Sequence, residues 1–216
     1  AATVLLATMV KYCAVPLDPL APAAAIACRL TSSRCHCVIT ISGANEEVAR
    51  TAAAAASLPL VVLEMDPNAP RGAFTMPSPP AQASSSSTTP NSLDDIVLLL
   101  QTSGTTGRPK RVLHTLRGLL SSGAAMAESL HLSAKNNDVG LNMMPMHHIG
   151  GIACNLFAPL LSGSVTLFAE GFDPQRWHDV VYKRRPLWTG EAAPPEVTWS
   201  YAVPAMWLAI LRVAES

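Results

Sequence analysis

Charge is scarce and balanced in this chain of 216 residues: 15 Lys and Arg stand against 15 Asp and Glu, and no basic run exceeds the three residues Lys183, Arg184 and Arg185. A nucleic-acid-binding face must offset many phosphates with clustered positive charge, so that class is excluded as a partner. Long hydrophobic runs are also missing. Apolar residues make up 49% of the chain, with alanine prominent, yet Pro, Ser or a charge breaks every apolar stretch before the roughly 18 residues that a bilayer helix needs. No transmembrane segment is expected. The five cysteines are odd in number and lack framework spacing, which argues against a disulfide scaffold and makes a reducing compartment the default. Cys35 and Cys37 flank His36, but no second ligand pair stands at a zinc-like distance, so ordinary thiols are the better reading and no metal ligand is assigned.

The ends lack signals too. The chain opens at Ala1, without Met and with no basic residues ahead of "AATVLLATMV", which makes a poor signal peptide. A cytoplasmic or organellar location is expected, peroxisome and plastid both remaining open, and secretion is not. The opening run reads as a cut through a helix, and "AMWLAILRVAES" ends the chain with no capping glycine. Both edges point to a fragment.

What is present has the rhythm of an α/β layer. A helix over residues 1 to 15 runs into a turn punctuated by Pro16, Pro19 and Pro22, and a second helix is predicted over Ala23 to Leu30. "CHCVITI" and "LPLVVLEM" read as buried strands on either side of the helical "NEEVARTAAAAA". From Asp66 to Ser92 the composition changes to Pro, Ser and Thr without period; such a segment does not repay the entropy of ordering, and a flexible excursion within one domain is expected. "DIVLLLQ" then reads as a strand, followed by a helix capped near Thr115 and running through "LRGLLSSGAAMAESLHL". After it come strand "VGLNMMPM", the glycine-punctuated helix "HHIGGIACNLFAPLLSG", strand "SVTLFAE", helix "FDPQRWHDVVYKRR", strand "VTWSYAV" and a terminal helix from Pro204. Proline suits that first helical position because its missing N–H would have been unpaired there.

Between "DIVLLLQ" and the helix lies "TSGTTGRPK", Thr102 to Lys110. Gly104 and Gly107 can adopt positive φ and let the backbone approach a ligand. Successive N–H groups form an anion-binding concavity, to which Thr102, Ser103, Thr105 and Thr106 add hydroxyls and Lys110 a mobile positive charge. Its place at a strand end is where open α/β sheets bind ligands. The glycine and lysine spacing fits neither a Walker A loop nor a dinucleotide fingerprint. From the residues alone, a glycine- and threonine-rich surface turn stays open beside a phosphate loop.

"TSGTTGRPK" followed by "RV" resembles the phosphate-binding signature of the adenylate-forming superfamily: acyl-CoA synthetases, firefly luciferase and the adenylation domains of peptide synthetases. "MPMHHIGGI" resembles that family's proline, aromatic, histidine and glycine-pair segment, with His147 where an aromatic is usual. "VTWSYAVPAMWLAIL" is similar to the strand, proline and helix bordering the acyl pocket. The resemblance implies a partial AMP-binding domain over residues 1 to 216, the incomplete large N-terminal domain of such an enzyme, built as layered parallel-sheet subdomains with helices on their faces. It further implies ATP-dependent activation of a small carboxylic acid to an acyl adenylate, with Mg²⁺ neutralising the triphosphate. Transfer to coenzyme A, or to the phosphopantetheine arm of a carrier protein, would follow.

In site terms the resemblance assigns the nucleotide phosphates to Thr102, Ser103, Gly104, Thr105, Thr106, Gly107 and Lys110, with Thr102 and Lys110 the catalytic pair. It assigns the acyl group to His148, Gly150, Ala202, Val203 and Pro204. Both histidines also suit helix-start or core positions, and Trp199, Tyr201 and Trp207 read as packing residues. His148 and "AVPAMW" suit an uncharged acyl or aryl group better than a diacid.

Two departures stand out. Arg111 replaces the glycine usual after the loop lysine, where it would stiffen the turn or compete for phosphate, and Leu116 stands where histidine is frequent. The family's metal-binding glutamate and remote C-terminal lysine have no counterpart among these residues. The isolated chain is therefore expected to bind weakly and turn over little. A noncatalytic nucleotide- or acyl-binding paralogue and a carrier-loading module are the competing readings.

Overall fold

The computed structural model describes residues 2–66, 68, 73–75, 89–102, 110–183, 185–187 and 195–214. Two compact units divide the chain, Ala1–His114 and Thr115–Ser216.

In the first unit, α1 (Ala2–Met9) and α2 (Ala23–Ser32) precede β1 (Val38–Ile41), α3 (Glu46–Ala55) and β2 (Leu60–Met65). β1 and β2 run parallel in the register Val38↔Leu60 to Ile41↔Leu63, as a β-helix-β crossover requires. α2 turns Ile26, Ala27 and Leu30 inward, one helical face, and these meet Ala52 of α3 with Val38 and Val48 packed against them. Ala52 is completely buried; alanine there lets the helices approach closely, which is one use of the alanine-rich sequence.

Most of the Pro- and Ser-rich span at 66–92 lies outside the described residues. Within it, Phe74–Thr75 form β3, antiparallel to the end of β2 through Glu64↔Thr75 and Met65↔Phe74. Two residues are too few to display a period. At the end of the span, the Asn91 amide donates to the Met9 carbonyl at 3.0 Å and its backbone N–H to Val10 at 2.7 Å. β4 (Ile96–Gln101) carries the buried run Val97–Leu100 and is flanked by Ala14, which exchanges backbone bonds with Val97 and Leu99. Its sheet neighbour is β5 (Arg111–Thr115).

The second unit opens with α4 (Leu116–Ser129), whose Thr115 hydroxyl accepts from Gly118 N–H at 3.1 Å. That satisfies one of the free N–H groups of the first turn, as the sequence predicts. β6 (Val139–Asn142) and β7 (Val165–Phe168) pair in parallel. The crossover between them is a π-helix at Gly150–Phe157 followed by α5 (Ala158–Ser162), where the sequence predicts a single ordinary helix. The wider turn has local causes: Pro159 offers no N–H to the carbonyl four residues back, and the Asn155 amide reaches the Gly150 carbonyl at 3.5 Å. α6 (Pro174–Val181) and α7 (Pro204–Ala214) complete the unit. Leu141, Met143, Trp177, Val180, Leu187 and Ile210 form its core, each large apolar side chain contributing about 1.5–3 kcal/mol on burial.

"VTWSYAV" is not a strand. It touches β6 through one bridge, Gly140↔Trp199, because its hydroxyls take ladder positions. Val139 N–H donates to Thr198 Oγ1 at 3.0 Å and Ser200 Oγ donates to the Leu141 carbonyl at 3.0 Å, local competition that ends a ladder.

Candidate functional site

The apolar run of β4 carries the chain to Gln101 and then to Thr102, at the carboxyl end of a buried strand. Thr102 N–H donates to the Lys110 carbonyl at 2.9 Å, and its hydroxyl lies 3.5 Å from the same oxygen. The two ends of the predicted phosphate loop are thus drawn together into a neck. Ser103, Gly104, Thr105, Thr106 and Gly107 lie outside the described residues. Lys110 is exposed, and among the described residues no carboxylate pairs with it.

Two residues beside the neck carry side-chain bonds that the loop motif did not announce. Gln101 Nε2 donates to Ser33 Oγ at 2.8 Å, and Arg111 donates from a guanidinium nitrogen to the Ser32 carbonyl at 2.9 Å. The guanidinium thus has a partner on the helix end. A hint in the sequence was the polar Gln101 closing an apolar run. Nothing there located Ser32 and Ser33.

In the second unit the carboxyl end of β6 leads into Pro145 and the two histidines. His148 is exposed, which removes the core reading, and its backbone N–H donates to the Pro145 carbonyl at 3.1 Å. Its ring lies 4.5 Å from that of His147, tilted by 45°. Of the glycine pair, Gly151 is sterically required, since its neighbour is backbone, whereas Gly150 faces the flexible end of Met144. A Cβ on Gly151 would come within 2.4 Å of the Pro145 oxygen, and one on Gly150 would meet Met144 Cε at 2.7 Å and the Tyr201 ring at 3.4 Å.

This packing brings the histidine segment to the predicted acyl-wall segment. Asn155 is fully buried and its amide donates to the Tyr201 carbonyl at 3.4 Å. Ala202 is half-buried, while Val203 and Pro204 are exposed at the start of α7, where the Val203 carbonyl accepts from Met206 and Trp207. Gly150 and Tyr201–Pro204 therefore belong to one neighbourhood. Burial pushes the Cys154 thiol up, offset in part by its hydrogen bond with Tyr201. The charge of Cys154, burial and the same bond hold the Tyr201 phenol above its ordinary value. Both groups stay neutral at neutral pH, so neither places a charge on this wall.

A cavity of about 490 Å³ opens at the other end of the same sheet, beside Val139 and Val165, the first residues of β6 and β7. It contains none of the predicted site residues, and ligands of open parallel sheets bind at carboxyl ends instead. No three His, Cys, Asp or Glu side chains converge to hold a metal among the described residues, and no described helix is long and apolar enough to cross a membrane.

A sequence profile described as AMP-binding enzyme matches residues 2–216. The chain is 36% identical over 91 residues to malonate–CoA ligase of Arabidopsis thaliana, covering 40% of this chain and 15% of that protein. It is 35% identical over 128 residues to 4-coumarate–CoA ligase 3 of Oryza sativa subsp. japonica, covering 57% and 23%. ATP-bound MatB from Rhodopseudomonas palustris superposes with a TM-score of 0.71 at 20% identity, over 98% of this chain and 38% of that one. A malonyl-CoA ligase with methylmalonyl-CoA and AMP bound gives 0.69 at 22% identity, over 99% and 39%. At such identities the solved structures speak for the fold, and the chain spans under two fifths of their length.

Proposed function

The chain belongs to the AMP-binding enzyme family, and from that premise we propose that it serves ATP-dependent activation of a carboxylic acid followed by thioester formation with coenzyme A. In the first step a carboxylate oxygen attacks the α-phosphorus of ATP, and pyrophosphate leaves. In the second, the thiol sulfur attacks the acyl carbon and AMP departs with the bonding pair, the thiol proton passing to solvent. The complete reaction is proposed for the whole protein; the residues in hand supply its phosphate end and a wall of its acid end.

The observation that carries this reading is the Thr102–Lys110 neck at the carboxyl end of β4. It fixes the ends of a segment rich in backbone and hydroxyl donors, and sets an exposed ammonium beside it. Hydrogen bonds to ionised oxygens are roughly twice as strong as neutral ones, so this end is suited to hold the phosphates that leave. Mg²⁺ would arrive bound to the triphosphate and neutralise part of its charge. The CoA ligases among the relatives favour coenzyme A over a carrier arm as acceptor.

His148, Gly150, Ala202, Val203 and Pro204 are the acid-side residues. With Tyr201 and Cys154 neutral behind them, we read the acid as a monocarboxylate with an uncharged acyl or aryl tail. Bound ATP should be displaced from the purified chain by pyrophosphate, measured by equilibrium dialysis with radiolabelled ATP. ATP that stays bound at saturating pyrophosphate would overturn the assignment of the phosphate end.

A further inference from the structure

The neck at Thr102 and Lys110 is bracketed by two side chains that end on one helix. Gln101 immediately precedes Thr102, and its amide donates to the hydroxyl of Ser33, the residue capping α2. Arg111 immediately follows Lys110, and its guanidinium donates to the carbonyl of Ser32, the last residue of α2. That carbonyl is one of the four that an α-helix leaves without an intrahelical partner, and it sits at the negative end of the helix dipole. A cation is the favoured partner there. The strands leading into and out of the neck are therefore both fastened to the carboxyl end of α2, while the Thr102–Lys110 backbone bond ties them to each other.

We propose that Gln101 and Arg111 are positioning residues that clamp Thr102 and Lys110 against the end of α2, so that Arg111 sets nucleotide affinity through the helix and without touching phosphate. The inference rests on the phosphate reading of Lys110. The Arg111 side chain is turned to the helix end. A ligand arginine and a positioning arginine differ in what else reproduces their loss. Removing the Ser33 hydroxyl subtracts no charge and no phosphate contact, yet opens the other arm of the same clamp.

The experiment uses the full 216-residue chain with Arg111→Gly, Arg111→Lys and Ser33→Ala, after circular dichroism shows that each variant keeps the wild-type spectrum. The first readout is hydrogen exchange of the Thr102 amide by NMR without nucleotide. The second is ATP affinity by calorimetry at two salt concentrations. Thr102 exchange should rise about threefold to tenfold in both Arg111→Gly and Ser33→Ala, with ATP affinity falling by a similar factor in each and the salt dependence unchanged. Arg111→Lys, which can still reach one carbonyl, should recover part of both. Unchanged Thr102 exchange in both variants overturns the clamp. So does an affinity loss confined to Arg111→Gly with a flatter salt dependence, which would mark a direct phosphate contact. If the wild-type chain binds no ATP, the proposed function fails, while amide exchange still decides whether the clamp exists.

Discussion

Replacing Gly140 by alanine should destabilise the second unit by about 1–2 kcal/mol. Gly140 lies in β6 beneath the indole of Trp199, and a Cβ there would stand 2.4 Å from Trp199 Cζ2 and 2.6 Å from Cε2. The ring must move by roughly 1 Å to reach ordinary contact distances near 3.5 Å. It cannot drift freely, because Trp199 N–H bonds to the Val139 carbonyl at 3.3 Å and its own carbonyl accepts from Leu141 at 3.2 Å. Overpacking costs about 1–3 kcal/mol in general; contacts this short against a tethered indole place this site at about 2–2.5 kcal/mol, and losing a strand glycine returns about 0.5–1 kcal/mol, which leaves the net figure. The assay is urea unfolding followed by tryptophan fluorescence and far-ultraviolet circular dichroism. Gly171→Ala is the control, since nothing lies within 4 Å of a Cβ there and a change within about 0.5 kcal/mol is expected. Introducing Gly140→Ala into a Trp199→Leu background should be nearly neutral. A Gly140→Ala protein as stable as wild type, or equally destabilised without the indole, would refute the packing that leads the chain to Tyr201 and the acid-side wall.

Other outcomes follow from the backbone and from burial. Ser57 holds φ near 55° just past α3, a conformation that costs residues with a Cβ about 1–2 kcal/mol. Ser57→Gly should therefore raise stability by about 0.5–1 kcal/mol in the same urea assay. Burial holds the His114 imidazole below its ordinary value, so the unfolded chain takes up the proton more readily than the folded one. His114's contribution is fully present above about pH 6.5 and is lost as pH falls through that value toward the depressed folded one. Stability measured from pH 7.5 to 5 should decline less steeply in His114→Gln.

Much of the fold is written in short-range pattern. The β-branched runs at Val38–Ile41 and Leu60–Met65, the 3.6-residue period of Ile26, Ala27 and Leu30, and Pro204 at the start of α7 all specify their elements locally, and the structure carries them. Other features depend on partners distant in sequence. β5 went unread because five residues after a turn carry too little periodicity to be separated from the following helix. "VTWSYAV" has strand composition, but Thr198 and Ser200 spend their hydroxyls on β6. The π-helix arises from a proline and a buried asparagine acting together. For the site, the loop and histidine motifs were legible because glycine and proline spacing is itself a chemical requirement. The Ser32 and Ser33 anchors were not, since a helix end that accepts hydrogen bonds from residues nearly 70 to 80 positions away leaves no mark in its own sequence.

The phosphate role of Lys110 is tested most directly by calorimetric titration of ATP, and separately of adenosine, into wild type and Lys110→Ala. A hydrogen bond to a charged group contributes roughly 1.5–3 kcal/mol, which corresponds to about 10- to 100-fold in affinity. ATP binding should weaken by that factor while adenosine binding stays the same. Equal ATP affinity in the two proteins would contradict the placement of the triphosphate at the Thr102–Lys110 neck.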